Sequence, residues 1–408
     1  MSEKAKAPAI RFKGFTDVWE QHKVSELLEE RNFQAPKNGE YPLMAFVAYE
    51  GVAPKGDRYN REFLVSDGVN KKYKRTELGD FIYSSNNLTT GSIGLNKYGN
   101  ASISPVYSIF HPTEIADSDF IGRSFIREEF INKMIRWRQG VIYGQWRIYE
   151  SDFLEIETHV PSVEEQKKIG KIFDGLDNLI TLHQRKLFKL TNVKKAMLEK
   201  MFPKSGSDVP EIRFSGFTDA WEQRKLGENA SFLKGQGYSK KDLVENGAPI
   251  ILYGRLYTNY ESTIREVSTF VESTSNSIIS KGNEVIVPAS GETAEDIARA
   301  SAVEKSGIIL GGDLNIIYPE ENIDSTFLAL SISSGQVQRE LSTKAQGKSV
   351  VHLRNPDIKD LEIYFPTKDE QRKISTYFDK VDNLITLHQR KLEKLKNLKK
   401  ACLEKMFV

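Results

Sequence analysis

Asp152 and Glu165-Gln-Lys167 have the residue types of an Asp…Glu-x-Lys nuclease metal site. The second half of that pattern returns 205 residues later as Glu370-Gln-Arg372. A catalytic lysine does not normally exchange with arginine, whose charge is delocalised and fixed. The repeat therefore favours a structural role over magnesium chemistry. Other catalytic patterns are missing: there is no Gly-x4-Gly-Lys-Ser/Thr loop, no Gly-x-Gly-x-x-Gly and no His-Glu-x-x-His. The Asn/Asp-Pro-Pro-Tyr/Phe motif of amino-group methyltransferases is also absent; Asn355-Pro-Asp357 does not supply it. His183 and His388 stand at matching positions without companion ligands, so a metal site is not indicated there. No bound metal or cofactor is expected on this chain.

Binding chemistry is better represented. Lys71, Lys72, Lys74 and Arg75 form the densest basic cluster between residues 22 and 160. They suit phosphate contacts or a solvated loop. Asn86, Asn87, Thr89 and Thr90 offer amides and hydroxyls of the kind that read base edges. Tyr143, Gln145 and Arg147 mix donors with aromatic surface. Further along, Ser290, Glu292 and Thr293 form one comparable set, and Lys344, Gln346, Lys348, Ser349 and His352 another. Each segment is also compatible with a plain glycine-rich turn.

These groups must be positioned by the elements around them, and the dominant feature there is a repeat. Asp177-Asn-Leu-Ile-Thr-Leu-His-Gln-Arg-Lys-Leu187 returns unchanged as Asp382-Asn-Leu-Ile-Thr-Leu-His-Gln-Arg-Lys-Leu392. A lead-in motif, Ile10-Arg-Phe-Lys-Gly-Phe-Thr-Asp-Val-Trp-Glu-Gln21, returns as Ile212-Arg-Phe-Ser-Gly-Phe-Thr-Asp-Ala-Trp-Glu-Gln223. Such spacing indicates internal duplication. The organisation is lead-in motif 1–21, variable region 22–160, spacer 161–204, linker and second lead-in motif 205–223, variable region 224–365, and spacer 366–408.

Ser162-Val-Glu-Glu165 and Thr367-Lys-Asp-Glu370 fit the capping box that starts a helix. Beyond the first start, Ile169, Phe173, Leu176, Ile180, His183, Leu187, Leu190, Lys194, Met197 and Met201 alternate by four and three. Ile374, Phe378, Val381, Ile385, His388, Leu392, Leu395, Lys399, Cys402 and Met406 do the same. This predicts two heptad helices, each roughly 57 Å long, paired as a coiled coil. The histidines set register within the seam, and Lys194 and Lys399 snorkel at fraying ends. About twenty residues separate Phe202 from Gln223. At about 3.3 Å per residue they could return along a whole helix only if almost fully extended, so the pairing is expected to be antiparallel.

The variable regions read as mixed α/β. Strands are expected at 43–47, 80–84 and 103–110, with a helix over 119–138. The second region is expected to have strands at 250–253, 284–287 and 315–318, and helices at 325–333 and 337–344. The fold class is thus α+β: two mixed α/β domains separated by an antiparallel pair of long helices, with an internal pseudo-two-fold axis.

Composition narrows the class further. The chain has 408 residues and a net charge of +2. Residues 162–204 carry 10 Lys/Arg against 5 Asp/Glu, and residues 366–408 carry 11 against 6. The variable regions are mildly acidic, with 17 against 19 in 22–158 and 14 against 19 in 225–365. Charge alone therefore does not argue for nucleic acid. No apolar run approaches the roughly 18 residues of a membrane span, and no signal peptide is visible at the start. With one cysteine, Cys402, an internal disulfide is impossible. The expected location is the cytoplasm.

Pro161-Ser-Val-Glu-Glu-Gln-Lys-Lys-Ile169 and Pro366-Thr-Lys-Asp-Glu-Gln-Arg-Lys-Ile374 each close a variable region and open a long helix. In this duplicated layout, with the Gly-Phe-Thr-Asp-x-Trp-Glu-Gln lead-in, the whole chain resembles the specificity (S) subunit of Type I restriction–modification enzymes. The resemblance implies two target recognition domains, each reading one part of a bipartite double-stranded DNA site. It implies that the helices act as a ruler and a docking surface for two methyltransferase (M) subunits. Leu179, His183, Arg185, Lys186, Leu384, His388, Arg390 and Lys391 are the candidates for that surface. The M subunits would bind S-adenosylmethionine and methylate adenine N6. Motor and nuclease (R) subunits would bring ATP and magnesium, and this chain would not be catalytic. Unlike domains on a pseudo-symmetric frame predict a non-palindromic site with a central gap. An endonuclease, from Asp152 and Glu165-Gln-Lys167, and a coiled-coil protein adaptor are the competing readings.

Overall fold

The computed structural model describes residues 7–54, 71–142, 145–347 and 349–408. The chain divides into two compact units, Met1–Leu182 with Glu393–Val408, and His183–Leu392.

Each spacer is one helix of 38 residues, Val163–Lys200 and Lys368–Lys405. Their starts are built alike. Arg11 Nε and Nη2 donate to the two oxygens of Glu165 at 2.8 and 2.7 Å. In the second unit, Arg213 does the same to Glu370 at 2.7 and 2.8 Å. Both glutamates are fully buried. The start motifs read as capping boxes, but the structure gives each glutamate to an arginine of the lead-in motif. A buried carboxylate needs a charged, doubly hydrogen-bonded partner, and a bidentate guanidinium provides one.

The neighbouring glutamine completes the joint. Gln166 donates to the carbonyls of Pro161 and Ile115 at 2.8 and 3.0 Å and accepts from the Asp117 amide at 2.8 Å. Gln371 donates to Pro366 at 2.9 Å and accepts from the Asp324 amide at 2.9 Å. Asp117 and Asp324 in turn cap the helices Ser118–Phe125 and Ser325–Ile332 through the amides of Phe120 and Phe327. Where the first long helix has Gly170, a Cβ would lie 3.1 Å from Asp117 Oδ1. The second has Ser375 there, whose hydroxyl donates to Asp324 Oδ1 at 2.6 Å.

Aromatic packing continues the pattern. Trp19 meets Phe120 and Phe407 with ring centroids at 5.6 and 6.4 Å, and Phe173 lies 5.9 Å from Phe407. Trp221 meets Phe327 and Phe202 at 5.6 and 6.1 Å, and Phe202 lies 6.4 Å from Phe378. In each unit the start of one long helix is therefore packed against the end of the other. Ion pairs agree: Asp177 holds Lys399 at 2.5 Å in the first unit, and Lys194 holds Asp382 at 2.6 Å in the second. Within each unit the helix segments run antiparallel. Lys194 and Lys399 do not fray into solvent as their sequence positions suggested, because a repeated aspartate on the facing helix takes each ammonium. His183 and His388 turn toward each other, with their Nδ1 atoms 2.8 Å apart, so that one ring donates and the other accepts.

The first variable region carries a four-stranded antiparallel sheet in the order Leu28–Glu30, Ser108–Pro112, Phe81–Tyr83, Ile93–Leu95. A three-stranded sheet holds Gln34–Pro36, Lys72–Thr76 and Ala101–Ile103. The strand expected at 103–110 is interrupted: Ala101–Ile103 ends before Pro105, which cannot donate to a ladder, and Ser108–Pro112 begins a new sheet. The single helix expected over 119–138 is two, Ser118–Phe125 and Glu128–Arg136. Arg127 is extended at the break, and the bend lets Phe125 and Phe130 stack at 3.8 Å.

The second variable region is richer in sheet than its sequence suggested. One five-stranded sheet runs Ala230–Lys234, Leu314–Pro319, Glu284–Pro288, Ser301–Val303, Thr263–Ile264. Another runs Leu243–Val244, Phe270–Val271, Ala248–Ile251, Ser306–Leu310, Ile279–Lys281. Helices Ser325–Ile332 and Gly335–Lys344 lie within two residues of their expected bounds. In both units a short strand after the lead-in tryptophan pairs with the strand before the long helix: Glu20–Lys23 with Glu157–Val160, and Glu222–Lys225 with Glu362–Phe365.

Two outcomes follow from these contacts. Glu370→Ala removes both carboxylate hydrogen bonds of the half-buried Arg213, which keeps only the Asp219 carbonyl, and denaturant titration should show the second unit destabilised by about 2 kcal/mol. His388 is held below the ordinary imidazole value by burial first, then by the charges of His183, Lys186 and Lys391. The unfolded chain then binds that proton more readily, so this contribution is present above about pH 6.5 and is lost as pH falls below it. Thermal melts of the second unit should decline from pH 7.5 to 5.5, and His388→Asn should flatten that decline.

Candidate nucleic-acid interface

In the first unit, the loop 84–92 and the hairpin Gln139–Ile142/Gln145–Arg147 flank one open cleft of about 330 Å³. Ser84, Asn86, Lys74, Trp146, Arg147 and Glu150 are among its lining residues. Three of the sequence-predicted candidates, Lys74, Asn86 and Arg147, thus share one site although they are far apart in the chain. Ser85 ties the two walls: its hydroxyl accepts from the Ile148 amide at 3.0 Å, and its carbonyl accepts from Arg138 at 3.2 Å.

Glu150 organises the charge. Ser108 donates to it at 2.8 Å, Arg147 Nη2 lies at 3.5 Å, and Lys74 Nζ at 3.9 Å. Burial pushes its carboxyl up. The hydroxyl, its own amide and the two cations outweigh that push, leaving the group below the ordinary glutamate value. Burial also raises Glu30, and the charge of Glu150 adds to the rise. Arg147 remains exposed and lies over the Tyr149 ring at 5.0 Å. Trp146 and Tyr149 leave large apolar surface in solvent. Trp146 belongs to the donor-and-aromatic segment that ends at Arg147, and Tyr149, two residues beyond it, extends the run Gln-Trp-Arg-Ile-Tyr149.

The other basic candidates separate. Lys71 and Lys72 are exposed, while Lys74 is only 6% exposed and is committed to Glu150. Arg75 lies over the rings of Tyr41 and Phe33 at 4.3 and 5.2 Å. Lys72, Lys74 and Arg75 belong to the strand Lys72–Thr76 rather than to a loop. Asn86, Asn87, Thr89 and Thr90 are all exposed. Tyr143 lies outside the described residues, and Gln145 begins the second strand of the hairpin.

In the second unit, the two candidate segments come together. Ser290–Gly291 pairs antiparallel with Val351–His352. Ser290 Oγ lies 3.3 Å from His352 Nδ1. Gln346 and His352 exchange backbone hydrogen bonds at 3.1 and 2.9 Å. Gly347, at φ +144, makes this turn possible, since a Cβ there would sit 1.9 Å from the Val350 carbonyl. Glu292, Gln346, Ser349 and His352 are exposed on this corner. Thr293 is spent on capping Ala294–Ile297, accepting from the Asp296 amide at 3.1 Å. Lys344 pairs with Glu340 at 3.7 Å. Lys348 lies outside the described residues. Tyr257, unforeseen, donates to the Ser290 carbonyl at 2.6 Å and lies under Arg299.

On the long helices, Leu179 and Leu384 are each 44% exposed, and so are Leu182 and Leu387, one turn along. Arg185, Lys186, Arg390 and Lys391 flank them in solvent. The duplicated sequence thus leaves the same leucine pair and the same two cations open twice.

The nuclease arrangement is not assembled. Both oxygens of Glu165 are taken by Arg11, and Asp152 accepts from Gln139 at 2.7 Å. Among the described residues no group of three or more His, Cys, Asp or Glu is placed to hold a metal ion. No described helix is long and apolar enough to cross a membrane.

The profile of the Type I restriction modification DNA specificity domain matches residues 17–192 and again 218–397. The Type I restriction enzyme MjaVIII specificity subunit of Methanocaldococcus jannaschii is 24% identical over 401 residues, covering 94% of this chain and 90% of that protein. The crystal structure of the Type I restriction–modification system S subunit from M. genitalium shares the fold. Its TM-score is 0.58 at 14% identity, over 98% of this chain and 99% of that one.

Arg147 is the exposed cation of the cleft. Arg147→Ala should weaken binding by a similar factor for every duplex and lower the slope of log affinity against log salt by about 1. Titrations at three salt concentrations check this.

Proposed function

The chain belongs to the Type I restriction modification DNA specificity family, and from that premise we propose that it is the non-catalytic, sequence-reading subunit of a methyltransferase and endonuclease complex. Residues 22–160 and 224–365 each read one part of a gapped, asymmetric DNA site. The observation that carries this reading is the duplicated joint: Arg11–Glu165–Gln166 and Arg213–Glu370–Gln371 fasten two unlike α/β regions to two long helices that share one repeated sequence. One frame with two different readers calls for two different half-sites, since like readers would call for a palindrome.

The helices serve as a coiled-coil ruler with a pseudo-two-fold axis. The repeated Leu179/Leu182 and Leu384/Leu387 surfaces, each edged by cations, are proposed to receive two identical methyltransferase subunits. S-adenosylmethionine, ATP and magnesium belong to those partners and to the motor and nuclease subunits. The complex works in the cytoplasm.

Co-expression with its methyltransferase partner should produce new N6-methyladenine in one gapped, non-palindromic motif, read by methylome sequencing. Replacing residues 22–160 with the matching region of another family member should change one half of that motif and leave the other. A continuous short motif, or a change in both halves, counts against the proposal.

A further inference from the structure

We propose that Tyr49 is a base-contacting, specificity-determining residue of the first region; this rests on the DNA-reading function proposed above. Tyr49 stands at the tip of the hairpin Met44–Val47/Gly51–Pro54, in which Val47 pairs with Gly51. Its φ is +63°, in the left-handed region that glycine occupies freely and a residue with a side chain does not. Nothing in the core offsets this conformation, because the residue is 85% exposed. A strained backbone under a solvent-facing ring is what a functional position leaves, since a stability-driven choice would be glycine.

The ring is nevertheless placed. The Tyr49 amide donates to the Gly91 carbonyl at 3.0 Å. A Cβ on Gly91 would lie 2.5 Å from the Tyr49 Cζ, so the tip of the phenol rests on the bare backbone of that glycine. Gly91 itself has φ +90°. It closes the loop that presents Asn86, Asn87, Thr89 and Thr90 to solvent, and the Asn87 carbonyl accepts from the Ser92 amide at 3.0 Å. Tyr49 and Thr89 line the same cavity. An aromatic face is thus held beside a row of amide and hydroxyl groups. The amides and hydroxyls can pair with base edges, and the ring can meet a thymine methyl or wedge against a base step. A phosphate contact would use only the hydroxyl and would not need the ring held over Gly91.

The test uses the complete complex of this chain with its methyltransferase subunits. The probes are the duplex bearing the methylated motif and duplexes with single substitutions in each half-site. Tyr49→Gly should fold with equal or higher melting temperature, bind the intact site about tenfold more weakly, and lose discrimination at positions in one half-site only. Tyr49→Phe, which keeps the ring, should bind like the wild type. If Tyr49→Gly binds and discriminates like the wild type, the inference is overturned while the DNA-reading function stands. Equal weakening on every duplex also overturns it, because that is the behaviour of a backbone contact. If the wild-type complex itself prefers no sequence, the functional reading fails and this inference with it.

Discussion

A buried carboxylate at the first turn of each long helix is the constraint on which the rest of the structure depends. Glu165 and Glu370 lie out of water, where an unpaired charge is heavily penalised. Arg11 and Arg213 satisfy them, each with two parallel hydrogen bonds. Those arginines sit in the lead-in motifs, 154 and 157 residues earlier in the chain. Each pair therefore closes a whole variable region between its own ends. The adjacent glutamine then fixes the region's first well-formed helix through the amide of Asp117 or Asp324. Whatever loops evolve between those points, the region leaves and returns to the long helix at the same place.

This division separates what must be constant from what must vary. The aromatic clusters around Trp19 and Trp221 use one phenylalanine of a long helix, one just past the end of the other, and one from each variable region. Asp177 and Asp382 bind the lysine of the facing helix. In the first unit the clamping glutamate and these aromatic rings are absent from the lining of the two clefts that carry candidate contacts, while Asp177 and Lys399 line the one shared by Tyr49 and Thr89. Among the described residues the strands are arranged in differently ordered sheets in the two regions, yet both hang from the same joint. A reader can be rebuilt without disturbing the frame because the frame's charges and rings are already paired.

The candidate site was only partly legible. The set Ser290, Glu292, Thr293 and the set Lys344 to His352 read as separate in the sequence, and the fold joins them through one short ladder. Lys74 sits in one basic run with the exposed Lys71 and Lys72, but the cleft covers it and Glu150 faces its ammonium, which residue order does not show. The exposure of Tyr49, Trp146 and Tyr149 is not legible in residue order, because an exposed aromatic looks like any core aromatic until its burial is known. One missed signal was readable. Asp117-Ser-Asp-Phe120 and Asp324-Ser-Thr-Phe327 are a short common motif inside regions otherwise without identity, and they mark the shared helix.

The sequence by itself determined the duplication, the heptad helices and the two-region plan. Repeats and periodicities are properties of residue order, and a 38-residue apolar stripe has few other uses. It also determined the family, through motifs that recur where the variable regions end. Only the tertiary structure decided what those motifs do. The Glu-Gln pair reads from sequence as a helix cap, and its use as a clamp depends on which distant arginine and amide arrive beside it. The same holds for the two seam lysines, which became ion pairs once a repeated aspartate faced them, and for the histidines, which found each other.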